Sequence, residues 1–307
     1  MTTTTLDGAR HRLLNIGYRL LGSLTEAEDA VQEAYARWYA LPVAQQEAIR
    51  TPDAWLATVT SRICLDLLGS ARARRERYVG EWIPEPVPDR TEWPAAQPGD
   101  GHQDPAERIA LDESVDMALL VVLETMTPAE RVAFVLHDVF GYPFGDVAVV
   151  LDRTAAACRQ LTASARRRVR QAELSSGAEA GVTADQARVV RDFKHAWERK
   201  DIAALVALLA PGAVLTADGG GLVSSALQPL VGAGQIVGAL LGIADRSPGQ
   251  TLREYSVNGR PGLVSLLGGT TVTVAAFALD GDGRIARIWA VRNPEKLQGW
   301  EAAPGQR

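Results

Sequence analysis

Residues 144–170 have the sequence FGDVAVVLDRTAAACRQLTASARRRVR, and this stretch decides the architecture around it. Residues 144–151 carry apolar side chains at helical spacing, and Asp152, which tolerates a left-handed backbone, interrupts the pattern. Thr154 is suited to cap a second helix. Small Ala148 allows the two helices to cross closely. The spacing therefore predicts a helix-turn-helix.

The predicted second helix is strongly basic. Six arginines and no acidic residue lie between Arg153 and Arg170. Amides and guanidinium groups read base edges, and cations bind phosphates. The alternative is an amphipathic helical hairpin with a solvated arginine face, but spacing and charge together favour binding to DNA. The candidate DNA-binding residues are Thr154, Arg159, Gln160, Thr162, Ser164, Arg166 and Arg167.

The whole composition is that of a globular protein. Of 307 residues, 47% are hydrophobic and 22% are charged, which excludes a coiled coil, a collagen-like repeat and a chain disordered throughout. The net charge of −5 excludes a uniformly basic nucleic-acid coat. Cys64 and Cys158 alone cannot form a zinc site, so we expect no metal or cofactor. No apolar run approaches the ~20 residues of a membrane span, and Met1–Leu6 lacks the features of a signal peptide. We expect a cytoplasmic protein without a membrane segment.

Composition and periodicity divide the chain into four segments. Residues 1–78 and 105–174 are predicted to be all-α, with strong helix starts at Thr51-Pro52 and Thr127-Pro128. Residues 79–104 form an acidic, proline-rich linker without regular structure. Residues 183–307 combine helices with apolar, β-branched runs, among them the predicted strands 251–257 and 270–279, and with the hairpin signal at 280–283. This combination predicts an α+β domain.

Two further charged clusters lie in the first segment. Thr25-Glu26-Ala27-Glu28 has the form of a capping box, which predicts a helix start at Thr25. This helix places three polar side chains, Asp29, Gln32 and Glu33, on one face. That face could dock a basic or polar partner, although such faces are usually only solvated. The helix that begins at Thr51-Pro52 is rich in arginine and is followed by Tyr78 and Trp82; arginines with aromatic rings can hold single-stranded bases. The alternative is a solvated helix end, which cations also favour. The candidate residues on this helix and at its end are Arg62, Asp66, Arg72, Arg74, Arg75 and Arg77.

The order of these features resembles a bacterial RNA polymerase sigma factor of the extracytoplasmic-function (ECF) class. The stretch EAEDAVQE at 26–33 is followed by Ala54-Trp55-Leu56 and then by the helix-turn-helix. The resemblance covers residues 9–171 and implies two all-α domains, σ2 and σ4. It implies that Asp29, Gln32 and Glu33 bind the β′ subunit of core RNA polymerase. The helix of residues 54–77 would melt and read the −10 promoter element, and residues 154–168 would read the −35 element. The linker would thread toward the RNA exit channel in the polymerase core, where β′ and β are the expected partners.

The C-terminal segment resembles a SnoaL-like domain, a cone of helices around a curved sheet. One group of ECF sigma factors carries such an extension, and three of its motifs occur here in order. In that group the extension is thought to regulate the sigma portion in cis. The resemblance implies regulatory contacts by Trp82, Pro84, Glu85 and Pro86, by Asp218, Gly219, Gly220 and Gly221, and by Asn293, Pro294, Glu295, Lys296 and Leu297.

Three alternatives to a simple initiation factor stay open at this point. The cone could be a cyclase- or isomerase-type enzyme with Asp218, His195 or Tyr255 as acid or base. It could instead bind a small apolar ligand and release the sigma portion. The chain could also be a free-standing repressor, which would bind duplex DNA without polymerase. We expect a sigma factor without catalysis of its own.

Overall fold

The computed structural model describes residues 3–75, 78–88, 116–176 and 183–300; for 3–8, 71–75, 173–176 and 183–184 it describes the backbone alone. Arg77 and positions 89–104 of the predicted linker lie outside the described residues. The chain divides into two units. The first holds residues 1–77, 103–111 and 119–171, and the second holds 78–102, 112–118 and 172–307.

The first unit is helical throughout its described part. Its helices are α1 (Thr3–Leu21), α2 (Leu24–Tyr39), α3 (Val43–Ala48), α4 (Pro52–Arg75), α5 (Met117–Glu124, which begins in the second unit), α6 (Pro128–Phe134), α7 (Phe144–Leu151) and α8 (Ala155–Ser176), with a π-helical turn at Val135–Val139. Helix α1 packs on α2 and α4, and α4 packs on α6 and α7. The α1–α2 contact is close because a Cβ at Gly17 would lie 3.0 Å from Cβ of Ala27.

Local capping chemistry explains several of these helix starts. Thr127 and Glu130 form the predicted capping box, with Pro128 in the first turn. Asp152 ends α7 with φ 50°, the left-handed conformation expected of it. The predicted start of α2 at Thr25 is wrong: the Ser23 hydroxyl accepts from the Glu26 amide and caps the helix two residues earlier.

The second unit is an α+β cone. Helices α9 (Thr183–Glu198), α10 (Ile202–Leu208) and α11 (Ala233–Arg246) pack against a six-stranded sheet. Its strands are β1 (Leu209–Asp218), β2 (Leu230–Val231), β3 (Thr251–Val257), β4 (Arg260–Leu267), β5 (Thr270–Leu279) and β6 (Ile285–Val291). The order is β2-β1-β6-β5-β4-β3; β1 and β6 are parallel, and the other pairs are antiparallel. Phe193, Leu215, Ile236 and Phe277 belong to the core between helices and sheet.

These elements confirm the predicted fold class of two all-α segments and an α+β domain. The bounds predicted for β3 and β5 are confirmed. The two-residue strand β2 and the short helix α3 were not predicted, because neither is long enough to show a period. Residues 78–88 contain no helix and belong to the second unit, where Pro88 bridges Val257.

Candidate functional sites

The helix-turn-helix presents its second helix to solvent. Thr154 caps α8, since its hydroxyl accepts from the Ala157 amide at 3.2 Å. Arg159 and Gln160 are exposed near the start of α8, and the Arg159 guanidinium lies 5.4 Å from the centre of the Phe144 ring. Arg167 is exposed farther along the helix. These positions give a polar and cationic surface of the kind that reads and holds duplex DNA.

Three of the predicted DNA-binding residues have other roles in α8. Thr162 was predicted to bind DNA, but its side chain is buried, with 1% exposed. Together with Cys158 and Ala165 it forms the buried stripe of the helix, at positions i, i+4 and i+7. Ser164 is half-buried and donates to the Glu130 carboxylate. Burial raises the pKa of Glu130, but the hydrogen bonds from Ser164 and Thr127 outweigh it, so that the pKa lies below its usual value.

The third of them, Arg166, is exposed but already paired. Its Nε and Nη2 atoms each donate to a carboxylate oxygen of Asp138 at 2.7 Å. The hydrogen bond and the charge of Asp138 raise the pKa of Arg166. This bidentate pair holds the guanidinium in one orientation on the α8 surface.

Helix α4 carries the second predicted nucleic-acid surface. Arg62 and Asp66 are exposed, and the Arg62 guanidinium donates to the main-chain oxygen of Val149 in α7 at 2.6 Å. The side chains of Arg72, Arg74 and Arg75 lie outside the described residues, as does the whole of Arg77.

A groove of about 510 Å³ lies beside α4, and the sequence did not indicate it. Trp38, Gln46, Arg50 and Asp53 are among its lining residues. The Trp38 ring packs against Trp55 with the ring centres 5.3 Å apart. Aromatic, amide and charged groups around one groove suit an unstacked base. The two tryptophans, Trp38 and Trp55, are the sequence signal that could have indicated this groove.

The acidic face of α2 is formed as predicted. Asp29, Gln32 and Glu33 are all exposed, and Glu33 pairs with Arg37 one turn later. The opposite side of α2 is buried through Ala27, among others. The face therefore offers carboxylate and amide groups to a partner.

The three motifs implied in regulatory contacts, at 82–86, 218–221 and 293–297, meet at the Asp218 carboxylate in the second unit. Asp218 is fully buried at the end of β1. Its Oδ1 accepts from the Tyr78 hydroxyl at 2.6 Å and the Gly220 amide at 3.0 Å. Its Oδ2 accepts from the Ile83 amide at 3.0 Å and from Lys296 Nζ at 2.7 Å. Both oxygens are thus satisfied by groups from all three motifs. We call Tyr78, Ile83, Asp218, Asn293 and Lys296 the Asp218 cluster.

Lys296 and Asn293 extend this network. Lys296 also donates to the Ile83 carbonyl at 2.6 Å, and its Nζ lies 4.1 Å from the centre of the Trp82 ring. Asn293 donates to the Tyr78 hydroxyl at 2.9 Å. Gly220 is required here, because at φ 62° a Cβ would lie 2.4 Å from Nδ2 of Asn293. Tyr78, which we associated with the arginines of α4, therefore belongs to the Asp218 cluster, and Trp82 contacts that cluster through Lys296.

The remaining predicted motif residues surround this network. Pro84 and Pro86 are buried, and the Pro86 carbonyl accepts from Trp300 Nε1 at 2.8 Å. Glu85 is half-buried. A Cβ at Gly219 would lie 2.4 Å from the Val223 carbonyl, and one at Gly221 would lie 3.0 Å from Val79. Pro294, Glu295 and Lys296 form a 3₁₀ turn capped by Asn293, and Leu297 is buried.

A second contact set ties both sides of the linker to one hairpin. The main-chain amide of Asn258 donates to the Val87 carbonyl at 2.9 Å. The Asn258 side-chain oxygen accepts from the Val87 main-chain amide at 3.1 Å. On the far side of the linker, Asp116 pairs with Arg260 at 3.1 Å. Residues 257–260 form the β3–β4 turn, with positive φ at Asn258 and Gly259. The Asn-Gly pair is the sequence signal that could have indicated this turn.

The groups considered for catalysis do not converge. His195 is exposed and lies 3.5 Å from Glu198, Tyr255 packs on Trp300, and Asp218 is saturated by the contacts above. A cavity of about 340 Å³ lies between the helices and the sheet, and none of these three residues lines it. Within the described ranges, no His, Cys, Asp or Glu grouping could hold a metal ion. Among those same residues, no helix is long and apolar enough to cross a membrane.

Comparison with known proteins agrees with this arrangement. Residues 8–74 match the family model Sigma-70 region 2, and residues 116–169 match Sigma-70, region 4. The ECF RNA polymerase sigma factor SigJ of Mycobacterium tuberculosis H37Rv is 36% identical over 311 positions, which cover 97% of this chain and 94% of that protein. The probable ECF sigma factor SigI of the CDC 1551 strain is 33% identical over 296 positions, covering 96% and 94%.

A solved structure gives the same result. The crystal structure of M. tuberculosis SigJ superposes with a TM-score of 0.73 at 32% identity, over 97% of this chain and 99% of that one. The fold thus defines a two-region sigma protein with a C-terminal α+β domain. The chain belongs to the ECF RNA polymerase sigma factors.

Proposed function

We propose that this chain binds core RNA polymerase and directs transcription from one class of promoter. The observation that carries the proposal is the pairing of two surfaces in one sigma-type unit. The exposed face of Asp29, Gln32 and Glu33 is the polymerase contact, and the exposed start of α8 is the DNA contact. Arg159 and Gln160 read the −35 element in the major groove, and Arg167 holds phosphates.

The −10 element is assigned to α4 and the groove beside it. Arg62, Asp66 and the arginines of 72–77 lie on or just after one helix, and the groove at Trp38 and Arg50 is lined for an unstacked base. A positive helix with an adjacent aromatic groove suits a melted strand better than a duplex. DNA contacts of this kind weaken steeply with salt.

Run-off transcription with core polymerase and fragmented genomic DNA tests the proposal. The wild type is compared with Asp29→Ala/Glu33→Ala, and with Asp185→Ala/Asp282→Ala, which removes the same charge from exposed positions in the other unit. We expect transcripts that the first variant loses and the second keeps. A chain that binds duplex operator DNA tightly without polymerase is a repressor and contradicts the proposal.

The second unit is assigned a regulatory role in cis. The Asp218 cluster fixes residues 78–83, and the Asn258 and Arg260 contacts fix both sides of 89–115, the chain that joins the two sigma regions. Because Val257 and Arg260 are direct cross-strand partners, these anchors hold the two sides of the joining chain at one turn. Two sigma regions whose joining chain is held in this way cannot separate fully until the Asn258 contact or the Arg260 contact opens.

Arg260→Gln tests this role. It removes the ion pair to Asp116 and is expected to raise transcription severalfold or to alter its dependence on promoter spacing. Arg253→Gln is the matched control, since Arg253 is an exposed arginine in β3 of the same hairpin. Equal transcription by the two variants would show that the Arg260–Asp116 ion pair has no role in regulation. The cavity in the cone favours a second candidate function, the binding of a small molecule that acts on these anchors.

A further inference from the structure

The cavity of about 340 Å³ lies inside the C-terminal unit, between α9, α11 and one face of the sheet. Its volume is at the small end of the range of about 300–1,000 Å³ typical of ligand sites. Fifteen of its 22 lining residues are apolar. The charged lining residues are Arg246 and Arg292, and no Asp or Glu side chain of the described chain lines it.

The sheet supplies the floor of the cavity in graded rows. Leu215, Ile288 and Phe277 are cross-strand neighbours and form a bulky apolar row. The next row, two residues along each strand, contains the small side chains Ala217, Ala290 and Ala275, and it ends at Leu263 of β4, the partner of Ala275. The row beyond is polar: Ser265 pairs with Thr273, and Arg292 directly follows the end of β6. The floor thus changes from apolar to polar and cationic along one direction.

The three alanines of the middle row make room for an occupant. Ala217, Ala290 and Ala275 present only methyl groups where Leu215, Ile288 and Phe277 fill the space one row below. The gap over these alanines can hold the elongated apolar part of a ligand. The other end of that ligand would then lie at the polar row.

Both arginines line the cavity; Arg292 is half-buried and Arg246 is exposed. Arg292 donates to the main-chain oxygen of Ser224, which also lines the cavity. The Arg246 guanidinium lies over Gly242, where a Cβ would be 3.0 Å from Nη1. Burial, and then the charge of Arg246, lowers the pKa of Arg292. Two guanidinium groups that repel each other beside an apolar cavity are stabilised by an anion between them.

We infer that the cavity binds an amphipathic anion, a carboxylate whose aliphatic or aromatic body fills the apolar rows while Arg246 and Arg292 hold its head group. The inference deepens the regulatory role proposed above and rests on it only for the consequence of binding. Arg292 precedes Asn293 of the Asp218 cluster, and its amide donates to the Asp218 carbonyl at 2.7 Å. A head group that replaces the Ser224 carbonyl as the hydrogen-bond partner of Arg292 therefore acts directly beside that cluster.

Calorimetric titration of the full chain tests the inference with three probes. Decanoate has both the charge and the apolar body, decanol has only the body, and butyrate has the charge with a short body. We expect one decanoate per chain, decanol about tenfold weaker, and no measurable butyrate binding. Equal affinities for decanoate and decanol, or no decanoate binding, would overturn the inference.

Four variants locate the site. Arg246→Gln and Arg292→Gln should each weaken decanoate about tenfold and leave decanol unchanged, whereas Arg284→Gln, at an exposed arginine of the 280–283 hairpin, should change neither. Ala239→Leu fills the cavity from α11 and should weaken both probes. Unchanged decanoate binding by the two arginine variants, or by Ala239→Leu, would place binding elsewhere and overturn the inference. No polymerase or promoter is present, so the result is independent of the sigma activity.

Discussion

The Arg62 guanidinium of α4 donates a hydrogen bond of 2.6 Å to the main-chain oxygen of Val149 in α7. This contact joins the helix assigned to the −10 element to the helix-turn-helix assigned to the −35 element. Two elements about 25 base pairs apart are separated by about 85 Å along B-DNA, at about 3.4 Å per base pair. A 24-residue helix such as α4 is only about 36 Å long. The two regions cannot therefore read both elements while Arg62 contacts Val149.

Our first prediction is that these regions separate when the promoter complex forms. Spin labels on Gln45→Cys and Arg170→Cys, both exposed positions, should move apart by tens of ångströms when core polymerase and promoter DNA are added. The native cysteines should not react with the label, since both are buried and burial raises the pKa of Cys64 to about 12. Pulsed electron resonance measures the distance. An unchanged distance in the transcribing complex would contradict the assignment of the two elements.

The second prediction separates reading of DNA from packing in α8. Arg159→Ala and Gln160→Ala should each lower run-off transcription about tenfold, because a base-edge contact contributes about 1–3 kcal/mol. Binding to core polymerase should not change. Thr162→Val should transcribe like the wild type and unfold at the same or a higher temperature, since the buried hydroxyl has no hydrogen-bond partner among the described residues. A transcription defect in Thr162→Val with normal folding would restore Thr162 as a contact residue.

Local chemistry explains how much of the fold could be predicted. The Thr127–Glu130 capping box and the Asp280 turn depend on neighbours in sequence, and both form as predicted. Ser23 was overlooked because Thr25 two residues later offers the same capping pattern. The burial of Thr162 was available from the helical stripe through Cys158 and Ala165, but its hydroxyl group was given more weight than its position.

The candidate sites depend on long-range geometry, which limits what a sequence can show. The three motifs were recognised separately, and Asp218 was expected to make a regulatory contact. Its partners include Tyr78 and the Ile83 main-chain amide, over a hundred positions away. A main-chain donor carries no residue signature, so no motif could indicate it. Arg260 directly follows the Asn258-Gly259 turn and pairs with Asp116, more than a hundred positions away. The spacing of β3 and β4 in the sequence does not indicate that partner.

The third prediction concerns pH and Tyr78. Burial and then the hydrogen bond to Asp218 raise the pKa of the Tyr78 hydroxyl above its usual value of 10.0. The folded chain keeps this proton while the unfolded chain loses it near that value. The contribution of Tyr78 to the free energy of unfolding is therefore complete below about pH 10 and is lost as the pH rises above it. Urea unfolding of the wild type and Tyr78→Phe should show a difference at about pH 8 that shrinks by about pH 11. A constant difference would contradict the role of the hydroxyl proton.

The fourth prediction compares a buried lysine pair with an exposed one. Lys296→Met removes a partner from a fully buried carboxylate, and losing one member of a buried pair costs about 3–5 kcal/mol. Lys200→Met is the matched control, because Lys200 and Asp245 are both more than half exposed and such pairs contribute about 1 kcal/mol or less. Chemical unfolding of the full chain should show the larger loss for Lys296→Met alone.

The double variant Asp218→Asn/Lys296→Met should recover part of that loss, because removing the carboxylate also removes its unpaired buried charge. The coupling between the two substitutions is the quantity to measure. If the losses from Lys296→Met and Asp218→Asn simply add, Lys296 stabilises the unit through the contact of its ammonium group with the Trp82 ring, not by neutralising Asp218. In that case the Asp218 cluster would be held by Tyr78 and the main-chain amides. Transcription by Lys296→Met would then match the wild type at temperatures where the variant stays folded.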